Sequence, residues 1–417
     1  MEQLLHYVWK HKMFPLKPLK TADGEAVEVI DSGLHNHNAG PDFFNAKVKI
    51  GGVEIHNKAS DWYVHKHEQD ARYNNVILHV CGCIDTVVAT QKGDILPQIE
   101  LEVPPHVMQH YEELLASDAY PPCHKIIPGL SRLTVTSWLS ALQTERLEQK
   151  TKAIAQRAEA CDGSWEAAFF VTLARNYGFG INGDAFEQWA MCLPLQAVAH
   201  HRDNLFQVEA MFLGQAGLLN LDAISACHRD EVLADGYFSK LQHEYLYLKH
   251  KFGLNPIDHH LWRFLRLRPQ NFPHIRIVQL ARLYATGQIS LSHVLDCQTV
   301  KEAMKCLKSC VTLYWQTHYS FGVASEVSEK QLSTASLQLL VINTVIPMLF
   351  AYGRHICKES LCERAFDFLE QLRPENNHIV RMWRDCSLEV AHAGDSQALI
   401  QLKNEYCDRK NCLRCRI

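Results

Sequence analysis

Residues 41–58 read PDFFNAKVKIGGVEIHNK. Polar and apolar side chains alternate through 42–50 and again through 53–57, the period-2 pattern of half-buried strands. Gly51-Gly52 between them reads as a two-residue hairpin turn. Each strand brings a carboxylate, Asp42 at the start of the first and Glu54 in the return. Residues two apart on a strand share a face, so Glu54, His56 and Lys58 point the same way. Carboxylates on neighbouring strands can share a hard divalent cation such as Mg²⁺ or Mn²⁺. Such an ion activates water and stabilises a leaving phosphate oxygen, with His56 or Lys58 orienting the water or carrying the proton.

Upstream, 4–14 carries apolar residues at helical spacing and stops before Pro15. A strand follows over 25–30, then a loop over 34–41 rich in His, Asn and Gly. Downstream, 65–73 reads as a short helix, 76–81 as a mostly apolar and therefore central strand, and 96–103 as a last strand. The order is helix, three strands, helix, strand. Pro104-Pro105 and Pro121-Pro122-Cys123 then mark a junction, and from about residue 130 nearly everything has helical periodicity. The expected class is α+β: an N-terminal αβββαβ unit over 1–125, then a larger all-helical region over 126–417.

The 417 residues are 47% hydrophobic and 21% charged, which excludes a disordered tail, a fibre and a disulfide-dense miniprotein. The net charge of −4 argues against a globally basic polyanion binder but leaves room for a local groove. Residues 1–20 have no apolar signal core, and the 15 Cys are scattered. The expected setting is a reducing cytoplasm with most thiols free. The low-charge run 332–352 is long enough to span a membrane, but its polar residues favour a buried core helix.

There are 24 His, and His35, His37, His56, His65, His67 and His79 fall within 45 residues. His65, His67 and a third group such as His79 form a second metal set, one that suits Zn²⁺ in a metallohydrolase. The plain alternative is a turn-capping Asp42 and a Glu54 on a solvated face. Near the C-terminus, Cys407, Cys412 and Cys415 have metal-knuckle spacing, and a structural Zn²⁺ or Fe–S cluster needs a fourth ligand. Cys123 is the first choice and Cys386 the second. In the helical region, Arg263, Arg266, Arg268 and Arg276 interleave with Trp262, Phe264 and Phe272. That pattern suits nucleic-acid contact, or else a solvated arginine face.

Pro41-Asp42 followed by Glu54-x-His56, with this element order, resembles the Pro-Asp…(Asp/Glu)-x-Lys nuclease superfamily. The resemblance covers roughly residues 1–105. It implies a restriction-endonuclease-like fold, Asp42 and Glu54 as metal ligands, and cleavage of DNA or RNA. His56 stands where that superfamily carries Lys, and Lys58 lies one step along the same face. The whole chain resembles a bacterial family known as domain of unknown function 2851. That likeness rests on 38–43 (NAGPDF), Glu54-Ile55-His56, Asp61-Trp62-x2-His65-x-His67, Leu78-His79-Val80, Asn343-Thr344-Val345-x-Pro347, Ser396-Gln397-Ala398-Leu399 and the cysteine tail. The leading expectation is a metal-dependent nuclease. The alternatives are a non-catalytic module that binds nucleic acid or protein, or a zinc metallohydrolase built on the histidines. No membrane role is expected.

Overall fold

The computed structural model describes residues 2–10, 12, 19–24, 26–27, 29, 32–35, 41–47, 50–116 and 120–416. His37 and residues 38–40 of the sequence signature lie outside them, as does much of the strand expected over 25–30. The chain forms two compact units. The first comprises Met1–Trp138, Cys386–Leu388 and Leu402–Ile417, and the second Leu139–Asp385 with Glu389–Gln401. The boundary expected at 125/126 therefore falls inside the first unit, which also takes in the cysteine tail.

The first unit is built on a five-stranded sheet in the order β1 (Leu34–His35), β2 (Phe43–Lys47), β3 (Ile50–Lys58), β4 (Val76–Cys83) and β5 (Gln98–Glu100). β1, β2 and β3 are antiparallel neighbours; β4 runs parallel to β3, and β5 parallel to β4. The parallel pair needs a crossover, supplied by α2 (Asp61–Val64) and two single 3₁₀ turns rather than the one helix expected over 65–73. Helix α1 (Glu2–Lys10) buries Leu4, Leu5, Val8 and Trp9, spaced for one helical face. That face meets Phe43, Val53, Ile55, Leu78, Val80 and Ile99. The alternate residues of β3 and β4, among them Glu54, His56 and His79, belong to the other face. There Trp62, Tyr73, Val76, Cys81, Val88 and Leu96 form a second core. The strand period thus separates an apolar face from one carrying buried polar groups.

Gly51-Gly52 is not the hairpin turn. Both glycines lie within β3, with Gly51 opposite Ala46. The absent side chain at Gly52 has a steric reason: a Cβ there would come within 3.0 Å of Pro41 Cγ. The glycine lets the chain just before Asp42 lie against β3.

The second unit is helical around one large core. Among its helices are α3 (Trp165–Tyr177), α4 (Leu205–Gln215), α5 (Tyr237–Phe252) and α6 (Pro273–Ala285). α4 and α5 approach so closely that a Cβ on Gly214 would fall 2.1 Å from Tyr245 Cδ2. The apolar run forms a long helix, Thr334–His355, whose most apolar window has a mean hydropathy of 1.7. It is long and apolar enough to cross a membrane, yet 67% of its most apolar window is buried inside the protein. It widens to a π-turn over Val341–Val345. Pro347 cannot donate to the Asn343 carbonyl, and Asn176 Nδ2 fills that role at 2.9 Å.

Glu209 is 1% exposed and accepts hydrogen bonds from Tyr237 Oη and Thr312 Oγ1, each at 3.0 Å. Burial nevertheless pushes its carboxyl from 4.5 up to about 7. The folded state therefore holds this proton between those pH values while the unfolded chain has lost it. The stability it contributes is complete below about pH 4.5 and lost as pH rises through about 7. Glu209→Gln is expected to flatten this part of the pH dependence and raise stability at pH 8 by about 3 kcal/mol. Urea unfolding at pH 5 and pH 8 measures both effects. A variant that keeps the wild-type slope would refute the assignment.

Candidate metal centre

The site grows from the polar side of β3. Glu54 pairs with His79 of the parallel strand β4, and His56 with Cys81. Asp42, just before β2, interlocks with this strand. Glu54 Oε2 accepts from the Asp42 N–H and Asp42 Oδ2 from the Ile55 N–H, each at 2.9 Å. His6 Nε2 of α1 lies 3.4 Å from the same Asp42 oxygen.

The crossover turns two more imidazoles toward these groups. Asp61 opens α2 and accepts the Lys58 N–H, and Ser60 is tied to Asp85 through its N–H and hydroxyl. Lys66 then takes a left-handed conformation with φ of 61° and ends the turn. Reversing the backbone between His65 and His67 is what lets both reach one spot. Asp70 caps the next turn by accepting the Arg72 N–H, and Tyr73 stacks on His67 at 3.9 Å. Trp62 meets the His67 and His79 rings edge-on and anchors its own Nε1 on the Ala89 carbonyl.

One ring nitrogen from each of His56, His65 and His67 lies within 4.8 Å of the others. His56 Nε2 is 3.1 Å from His65 Nδ1. Glu54 Oε1 adds an oxygen 3.4 Å from His67 Nε2 and 3.8 Å from His56 Nε2. The other His56 nitrogen, Nδ1, lies 2.9 Å from His79 Nε2. A proton on Nδ1 shared with His79 leaves Nε2 as a lone pair facing the cluster, the usual second partner of a metal-binding histidine. His56 and His67 are buried and His65 is exposed, so the cluster has one wet side.

The electrostatics match the donor set. Burial first, and then neighbouring imidazoles, hold His56 down to about 2 and His79 to about 4. Burial also lowers His67. These rings are neutral at pH 7, the form that ligates metal. Burial, followed by the Asp42 charge, pushes Glu54 well above the usual carboxylate range. His6 moves the other way: burial opposes its charge, but the Asp42 bond and nearby carboxylates raise it.

Of the groups expected at the site, Asp42, Glu54 and His56 come together, and the histidine set merges with them. His79 takes an outer position. Lys58 is exposed at the end of β3, and only its backbone is tied into the turn. His6 was missed. It sits in an otherwise ordinary amphipathic helix, and only the tertiary fold places it beside Asp42. Arg276, expected on a nucleic-acid face, is 4% exposed. It is held by Gln279, Asn271 and the Phe179 ring, an environment that excludes a phosphate. Arg263, Arg266 and Arg268 are exposed. Asp258, His259 and His260 form one other group with converging ligand atoms among the described residues; Asp258 and His260 are exposed.

The tail folds into the first unit. Tyr120 Oη donates to Asp408 at 2.6 Å, and Arg416 covers the Trp138 ring. All fifteen cysteines are thiols without disulfides. Cys123, Cys386, Cys407, Cys412 and Cys415 are electrostatic neighbours. Burial and then Cys415 push Cys123 up to about 11, and Cys407 rises for the same two reasons. Burial and neighbouring thiols, rather than the basic side chains close by in sequence, dominate these two cysteines. Among the described residues, no three of these sulfurs lie within 4.8 Å of one another.

A family described as "Protein of unknown function (DUF2851)" matches residues 2–378. The chain belongs to this family. The match spans the whole histidine and carboxylate site and stops short of the cysteine tail. No curated protein and no solved structure matches the chain.

Proposed function

We propose that this DUF2851 protein is a metal-dependent hydrolase whose centre is His56, His65, His67 and Glu54, and whose substrate is a phosphodiester of DNA or RNA. The observation that carries the reading is the convergence of three imidazoles and the Glu54 carboxyl beside a second acid, Asp42. A donor set rich in imidazole suits Zn²⁺ or Fe²⁺ better than the Mg²⁺ or Mn²⁺ expected from two carboxylates. A metal held there supplies Lewis-acid polarisation of a phosphoryl oxygen and activates water near neutral pH.

The chain's own groups have separable roles in this reading. His79 fixes the tautomer of His56. Tyr73 and Trp62 hold the His67 ring in place. His6, whose pKa is raised by Asp42 against the opposing effect of burial, is positioned to give a proton to a leaving oxygen. The phosphodiester assignment rests on the Pro41-Asp42…Glu54-x-His56 resemblance and on an antiparallel strand pair followed by a parallel strand. The test is to load purified protein with Zn²⁺, Mn²⁺ or Mg²⁺ and assay a panel of DNA and RNA. Cleavage with a transition metal supports the reading. Tight metal binding with no cleavage would favour the non-catalytic binding module.

We further propose that Cys123, Cys407, Cys412 and Cys415, which share one unit and act on one another electrostatically, close around a structural Zn²⁺ or Fe–S cluster, for which their sulfurs must move closer than the 4.8 Å that no three of them now meet. Protein purified without added metal is expected to carry about one equivalent of zinc or one cluster. Cys412→Ser should lower the melting temperature. Metal analysis and visible absorbance decide between the two, and freely reacting thiols with neither metal would refute both.

A further inference from the structure

A cavity of about 240 Å³ opens in the helical unit, and its walls are largely aromatic. Phe264, Phe272, His274 and Phe321 line it, and Ser225 and Ser320 add hydroxyls. Three segments supply the rings. Phe264 follows a residue that Asn182 pins from both sides: Asn182 Nδ2 donates to the Arg263 carbonyl at 2.9 Å, and Asn182 Oδ1 accepts the Arg263 N–H at 2.8 Å. Phe272 and His274 stand at the start of α6, and Phe321 in the turn of a short hairpin between His318–Ser320 and Val323–Ala324. The rings brace one another. Phe264 meets Phe272 edge-on at 5.3 Å, and His274 meets Phe321 edge-on at 5.5 Å. Phe264 and Phe272 are only half-buried, so the space is reached from solvent. His274 is 6% exposed, and its Nδ1 has no hydrogen-bond partner among the described residues. Burial holds its pKa down to about 3. The ring is therefore neutral at pH 7, with one nitrogen a donor and the other an acceptor. Leaving such a buried group without a partner is costly, and a ligand edge that both donates and accepts relieves that cost. The space is smaller than the roughly 300–1,000 Å³ of pockets that enclose a drug-sized ligand. It takes one flat ring system rather than an extended molecule.

We infer that this cavity holds one unstacked nucleobase, with Phe264, Phe272 and Phe321 supplying the stacking surface and His274 reading the edge of the base. Charge decides against the other guest that aromatic cages take, a quaternary ammonium. None of the described residues lining the cavity is acidic. The segment that carries Phe264 also carries the exposed Arg263, Arg266 and Arg268. Those cations repel an ammonium and suit the phosphates that accompany a base. The inference is drawn from the helical unit alone and goes beyond the proposed hydrolysis. Its test is made in EDTA, so that its failure and a failure of the hydrolase reading are distinguishable.

Full-length protein is titrated into labelled single strands of about ten nucleotides. The strands are DNA, RNA and a DNA backbone of the same length without bases. The wild type should bind a base-bearing strand about tenfold more tightly than the abasic one. Phe264→Ala should erase most of that difference. Ser225→Trp, which fills the cavity from an exposed position, should do the same without removing a packed ring. Both should leave binding of the abasic strand unchanged. Arg263→Ala with Arg266→Ala and Arg268→Ala should instead weaken both kinds of strand and reduce the salt slope by about 2. AMP and UMP serve as competitors. Competition at the affinity of the strand assigns the pocket to a free nucleotide and its absence assigns it to a strand, and both results support a base site. The proposal is overturned if the wild type binds base-bearing and abasic strands equally, if it binds neither a strand nor a mononucleotide, or if Ser225→Trp, folded by circular dichroism, keeps the wild-type preference. A preserved base preference with no hydrolysis under any metal would instead refute the hydrolase reading and leave the pocket standing.

Discussion

His67→Ala is expected to weaken transition-metal binding by more than about 100-fold, and hydrolysis with it. Loss of an outer hydrogen-bond partner of a ligand already costs about 10–100-fold, and His67 is placed as a ligand itself. The ring is held between Tyr73 and Trp62, so nothing nearby can swing in to replace it. Three companions sharpen the result. Glu54→Gln should lose metal comparably, because it removes the one anionic donor facing His56 and His67. His79→Ala should fall in the 10–100-fold range, because it only releases the His56 tautomer. Lys58→Ala should change little, since that side chain is exposed and apart from the cluster. Metal must also displace the proton that burial keeps on Glu54, so affinity should climb with pH. Competition against a chelating dye reads all of these. Wild-type affinity in His67→Ala would end the metal-centre assignment.

The second large effect lies in the helical unit and concerns stability alone. Gln397 is 4% exposed, and its Oε1 accepts the Lys150 ammonium at 2.8 Å while its Nε2 donates to Glu375. Lys150 also reaches Asn343 Oδ1 at 3.0 Å. Burial, then the nearby Arg146, lowers the ammonium's pKa. Gln397→Leu leaves a desolvated cation short of an acceptor and Glu375 short of a donor. The expected loss is about 2–3 kcal/mol, the cost of leaving buried charged groups short of a hydrogen bond, which is about 4–12 °C in melting temperature for a unit of this size. Adding Lys150→Met should recover much of it, because the second change removes the stranded charge. Additive losses in a chemical-denaturation cycle would refute the coupling.

The coarse organisation was legible because it follows from periodicity. Alternation through 53–57 set the faces of β3, and the apolar run 76–81 marked β4 as an inner strand. The carboxylates and the crowd of histidines were visible as residue types. Their assembly was not, because it depends on one left-handed residue, Lys66, whose sequence carries no glycine to announce it. His6 and the cations of the tail were hidden for another reason. Contacts spanning some 400 positions leave no local pattern, so Lys10 and Arg414 read as unrelated surface charges until the fold brought them to one cavity. The double glycine misled for the opposite reason. Its signal is real, but at Gly52 it serves the close approach of Pro41 rather than a reversal of the chain. Arg276 shows the same ambiguity, since a buried arginine and a phosphate-binding one look identical in sequence.

Because residues 402–416 belong to the first unit, that unit is made from segments on both sides of the helical one. During synthesis α1 and the sheet emerge first, and the ribosome must then deliver the whole intervening helical segment before Lys410 and Arg414 exist. At roughly 5–20 residues per second that interval lasts roughly 10–50 s. Throughout it, α1 and the nascent sheet wait without the tail segment that packs against α1. The first unit therefore reaches its full set of contacts only after the second unit has been made.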